Sequence, residues 1–61
     1  MFSYEIRHKG SILEADDDFE TKDEALQDAK NRVSKILRVW KSNGYYNNET
    51  EEDFYISVDE Y

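Results

Sequence analysis

The residues of this chain that could do chemistry are its carboxylates: fifteen Asp and Glu stand against eight Lys and Arg and a single histidine. Seven of the acids fall within the twelve residues from Glu14 to Ala25, EADDDFETKDEA. Carboxylates at such density can hold a divalent cation, serve as acid and base, or present an anionic surface to a partner. A calcium loop of the EF-hand kind needs oxygen ligands at its first, third and fifth positions, glycine at the sixth and a bidentate glutamate at the twelfth. Counted from Asp16, Asp18 and Glu20 fill the third and fifth positions, but Thr21 and Gln27 occupy the sixth and twelfth. The loop fails where its geometry is most demanding, so no metal is expected.

Catalysis finds little to work with. His8 is the only imidazole and there is no cysteine. Ser3, Ser11, Ser34, Ser42 and Ser57 lack the strained Gly-x-Ser-x-Gly turn that exposes a nucleophile. Gly10 and Gly44 are the only glycines, so no glycine-rich loop can cradle a phosphate. A chain of 61 residues has little room for a ligand pocket of the usual ~300 Å³ or more. A protein without catalytic activity and without a cofactor is expected, with His8 as a solvated residue beside a turn.

The charge is unevenly spread. Lys22 to Lys41 carries six bases against three acids, a balance of +3, and the remainder carries two bases against twelve acids, a balance of −10. The net charge of −7 repels nucleic acid and anionic membrane taken as a whole. Acids interleaved with tyrosines suit a basic protein groove, since tyrosine supplies contact area and carboxylates steer the encounter. The residues expected to touch such a partner are Asp16, Asp17, Asp18, Glu20, Tyr45, Tyr46, Glu51, Glu52, Asp53, Tyr55, Asp59 and Glu60. The partner expected is a protein with a basic surface, of the kind that handles nucleic acid, and the role that of an inhibitor or modulator. Two alternatives remain: a structural homodimer joined through an edge strand or the helix overhang, and a nucleic-acid binder using the basic helix face. Of oligomeric states the monomer is favoured, because acidic ends repel a second copy.

These side chains must be placed by a small fold. Phe2 to His8 alternates apolar and polar residues, the mark of a half-buried strand. Gly10 can supply the positive φ of a tight hairpin turn, and Ser11 to Ala15 reads as a short second strand with Ile12 or Leu13 facing the core. Thr21 followed by Glu24 fits a helix capping box. From Lys22 there is neither Gly nor Pro until Gly44, and Leu26, Ala29, Val33, Ile36, Leu37 and Trp40 fall on one stripe with Ala25 at its border. Phe54 to Val58 alternates again. The order β-β-α-β predicts an α+β fold: a three-stranded antiparallel sheet in spatial order 2-1-3, with one long helix packed on one face.

The helix outruns the strands, and Tyr45 and Tyr46 are expected to fold back over Trp40. Thr21 to Glu24 is thus explained as a cap, whereas Asp16 to Asp18 bring repulsion with no evident structural gain and read as a surface. The hairpin followed by FETKDEA is similar to small bacterial and phage β-β-α domains, over about half the chain. No apolar run reaches the ~20 residues of a membrane span, and MFSYEIRHKG lacks the apolar core of a signal peptide. A single cytoplasmic domain is expected.

Overall fold

The computed structural model describes residues 1–44 and 49–61. Strand β1 (Phe2–His8) and strand β2 (Ser11–Phe19) form the hairpin, helix α1 (Lys22–Ser42) follows, and a short 3-10 turn (Glu51–Asp53) leads into strand β3 (Phe54–Glu60). Both strand pairs are antiparallel and the spatial order is β2-β1-β3. This is the α+β architecture that the alternation and the single long stripe predict. Lys9 (φ 51°) and Gly10 (φ 84°) are both left-handed between the paired residues His8 and Ser11. Two such residues make the primed turn whose twist matches that of the strands.

One face of the sheet receives the helix. Tyr4 and Ile6 of β1, Phe54 of β3 and Ala25, Ala29 and Val33 of α1 form the buried core. Alanines at the contact let the helix approach closely, and Ala25 lies in its centre rather than at the border of the stripe. Thr21 caps the helix by accepting the Glu24 N–H at 3.1 Å, although the Glu24 side chain does not return the bond. At the other end Asn43 is the cap, and Gly44 takes φ 76° beyond it, the usual way to end a helix.

The second strand is where expectation and structure part. It runs nine residues, well past Ala15 and through all three aspartates. Its register slips twice against β1: Ile12 and Glu14 oppose Arg7 and Ile6, and Asp16 and Phe19 oppose Tyr4 and Phe2. Each slip inserts one extra residue, a β-bulge. The bulge at Leu13 breaks the alternation. It turns Ile12 to the open face opposite Arg7 and sets Glu14 on the helix side opposite Ile6. Neither Ile12 (55% exposed) nor Leu13 (38%) faces the core. A two-residue period cannot be read through such an insertion.

The helix overhang is covered by a residue expected to be solvated. His8 ends β1 on the helix side, between Trp40 (ring centroids 5.1 Å apart, edge-on) and Phe54 (5.0 Å). Its Nε2 lies 3.0 Å from Glu49 Oε2, and both side chains are only 11% exposed. The two atoms are close but do not meet hydrogen-bond geometry, and among the described residues neither has another hydrogen-bond partner. Tyr45 and Tyr46, expected to cover Trp40, lie outside the described residues. Among the described residues, no helix is long and apolar enough to cross a membrane.

Candidate functional site

The acids of β2 divide according to which side of the strand they leave. Glu14 and Asp16 oppose Ile6 and Tyr4, so they rise on the helix side. There Arg32 reaches down from α1 to Glu14 and Asp16, each at 3.6 Å, and lies 3.9 Å from Asp28 one helical turn away. Asp28 in turn accepts the Tyr4 hydroxyl at 2.6 Å. Burial, together with the bond to Asp28 and its charge, raises the Tyr4 phenol pKa far above its usual value. Tyr4, Asp28, Arg32, Glu14 and Asp16 thus tie the outer strand to the helix. Glu14 also lines a groove of about 210 Å³ with Arg32, Lys35, Ile36, Val39 and Trp40.

Asp18 is held for a different reason. It stands in the second bulge with φ 68°, a left-handed conformation that Asp tolerates better than most residues. Tyr61 reaches across the start of β1, donates its hydroxyl hydrogen to Asp18 Oδ1 at 2.8 Å and accepts the Asp18 N–H at 2.8 Å. That bond to Asp18 raises the pKa of the exposed Tyr61 phenol. Asp16 Oδ1 accepts the Asp17 N–H at 2.8 Å. Two of the three aspartates therefore have a structural role, contrary to the expectation that all three bring only repulsion. Among the described residues, the Asp17 carboxylate has no such bond.

The Tyr61–Asp18 clasp joins the ends of β2 and β3. Asp59 and Glu60 oppose Ser3 and Phe2, while Asp17, Asp18 and Glu20 lie on the other side of the same β1 end. Asp17, Glu20, Asp59 and Glu60 are exposed, and among the described residues no cationic side chain pairs with them. The predicted acids Asp16, Asp17, Asp18, Glu20, Asp59 and Glu60 therefore share one end of the sheet.

Glu51, Glu52 and Asp53 lie at the far end of β3, seven residues of strand away, or roughly 20 Å at ~3.3 Å per residue. Two of these three serve the local chain. Glu51 accepts the Ser34 hydroxyl at 3.0 Å, and Asp53 accepts the Thr50 N–H at 2.8 Å, completing a capping box with Thr50. Tyr55 is 65% exposed on the open face opposite Arg7. Among the described residues, no group of three or more His, Cys, Asp or Glu is arranged to hold a metal ion.

Sequence reasoning missed the Tyr4–Asp28–Arg32 network and the Thr50 cap. A signal existed for each: Asp28 and Arg32 stand at i,i+4, and Thr50-Glu-Glu-Asp53 has capping-box spacing. Comparison of the chain with family models, curated proteins and solved structures returns no match.

Proposed function

We propose that this protein is a binding module that occupies a basic surface of a partner protein through the acidic end of its sheet. The observation that carries this reading is the Tyr61–Asp18 clasp, which ties the ends of β2 and β3 together at the end of the sheet where Asp17, Glu20, Asp59 and Glu60 also lie. Carboxylates without cationic partners among the described residues are already set for steering, and their attraction to a basic groove falls as salt screens it. A groove that normally accepts the phosphates of nucleic acid has the matching chemistry, which makes an inhibitor or modulator the sharpest form of the reading. Asp16 contributes charge to the field while paired with Arg32, and Glu51 and Asp53 belong to the fold rather than to this surface.

The test is a fluorescence anisotropy titration with an arginine-rich peptide and, separately, with duplex DNA. The peptide should bind, and more weakly as salt rises. Neutralising Asp17, Asp59 and Glu60 to the amides should weaken binding at least tenfold. The charge-matched set Glu5→Gln, Glu51→Gln and Glu52→Gln should weaken it far less. Equal loss in both sets would reduce the interaction to net charge and contradict the site. Binding of the DNA at physiological salt would favour the basic helix face, where Lys30, Lys35 and Arg38 are exposed.

A further inference from the structure

Strand β3 is the outer strand on the side away from β2, and its seven residues pair with β1 without any shift of register. Met1 and Tyr61 exchange both backbone bonds, at 3.1 and 2.9 Å. Antiparallel partners alternate between bonded and non-bonded pairs, so Asp59, Ser57 and Tyr55 turn their backbone groups toward β1. Ile56, Val58 and Glu60 therefore direct their N–H and C=O groups away from the sheet. The Phe54 N–H is used locally, by Glu51 O, but among the described residues nothing pairs with the other three.

We propose that β3 is a self-pairing edge, through which two copies join antiparallel about a two-fold axis at Ser57 into one continuous sheet. The strand sequence supplies the register. An axis at Ser57 sets Ile56 against Val58 of the second copy as a bonded pair, matching the outward phase of both residues. It sets Tyr55 against Asp59 on the open face and Ser57 against itself, with no like charges opposite. Phe54 opposes Glu60 at each end, where the Phe54 N–H is already used by Glu51 and only the Phe54 carbonyl is left to accept. An axis at Ile56 would instead face Asp53 with Asp59. An axis at Val58 would pair only residues 56–60, a shorter overlap of the strand.

The pairing also answers an apolar need on the helix side. Ile56 and Val58 are only half-buried against the core, and the pairing brings each beside the other's counterpart. The helix lies over β1 and β3, so at ~4.8 Å per strand the two helices stand about 10–14 Å apart. That is at or beyond the ~8–10 Å of close helix packing, so they do not collide. The net charge of −7 on each copy opposes association, and added salt should therefore tighten the dimer. This sign is opposite to that expected for binding a basic partner, so the two interactions are separable.

Sedimentation equilibrium from micromolar to millimolar protein tests the pairing. The mass should rise from 7.3 kDa toward twice that value as concentration and salt increase. Tyr55→Lys creates two Lys–Asp cross-strand pairs by symmetry and should tighten the dimer by roughly 2–30-fold. Tyr55→Glu places like charges opposite Asp59 twice by symmetry and should weaken the dimer by a similar factor. Tyr55 is exposed, so circular dichroism should show both variants folded. Gln27→Lys, with the same charge change on the helix, should tighten the dimer much less than Tyr55→Lys. The proposal is overturned if wild type and Tyr55→Lys both remain at 7.3 kDa at millimolar concentration. It is equally overturned if Tyr55→Glu associates as well as wild type, or if Gln27→Lys matches Tyr55→Lys.

Discussion

The sheet has two edges, and the chain treats them in opposite ways. Strand β2 is interrupted by two bulges, and the N–H groups of Asp17 and Asp18 are taken by Asp16 and Tyr61. Its carboxylates Glu14 and Asp16 are drawn toward the helix by Arg32. Bulges and charges are the standard means of stopping an outer strand from pairing with another chain. Strand β3 has no bulge against β1, and among the described residues nothing takes the amides of Ile56 and Val58. The bulged end of β2 has its amides taken by side chains, whereas among the described residues nothing pairs with the outward groups of Ile56, Val58 and Glu60 on β3. The acids of β2 thus have two duties, closing an edge and carrying charge, and the same residues cannot be assigned to only one.

The sharpest way to break this comparison is to place the same side chain on both edges. Asp18→Val puts a β-branched residue at φ 68° and removes the clasp with Tyr61. The left-handed backbone alone costs roughly 1–2 kcal/mol, so urea denaturation should show a loss of about 2 kcal/mol. Ser57→Val on β3 meets regular extended backbone and should change stability by no more than about 0.5 kcal/mol, in the favourable direction. Equal losses at both sites would mean that the bulge at Asp18 carries no special conformational demand.

A smaller effect sharpens the picture of how β2 is anchored. Tyr4→Phe removes a bond to a charged acceptor, which is worth about 1.5–3 kcal/mol in general. The lower figure, about 1.5 kcal/mol, is expected here because the Asp28 side chain keeps 40% exposure. The variant also isolates a pH effect. The Tyr4 pKa is raised in the folded protein, so its contribution is complete below the unfolded value of ~10. Above that value the unfolded chain ionises while the folded one resists, and stability falls with rising pH. Tyr4→Phe should flatten most of this decline, leaving the part due to Tyr61, whose pKa is shifted in the same direction. A wild-type slope unchanged in Tyr4→Phe would remove the buried phenol from the explanation.

The fold was legible because its signals are periodic and uninterrupted. The stripe from Leu26 to Trp40 and the alternations at Phe2 and Phe54 each repeat without insertion. β2 was misread for the converse reason: an extra residue at Leu13 inverts the facing of the residues after it, and local propensity does not mark where it falls. The candidate site was legible as charge but not as bonding. Asp16, Asp17 and Asp18 are identical in the sequence, yet among the described residues one pairs with Arg32, one has an unbonded carboxylate and one is clasped by Tyr61. Those fates depend on the register and on a residue forty-three positions away. His8 was misjudged in the same way, because the helix overhang above it is a tertiary feature.

The difference between the edges is tested most directly by amide exchange at individual residues. Ile56 and Val58 on β3 and Ala15 on β2 all turn their N–H groups outward. NMR-detected hydrogen–deuterium exchange should be followed at dilute and at millimolar protein. Ile56 and Val58 should gain protection as concentration rises, more so in high salt, while Ala15 keeps exchanging rapidly. Unchanged exchange at Ile56 and Val58, or a matching gain at Ala15, would contradict the claim that the chain closes one edge and leaves the other to pair.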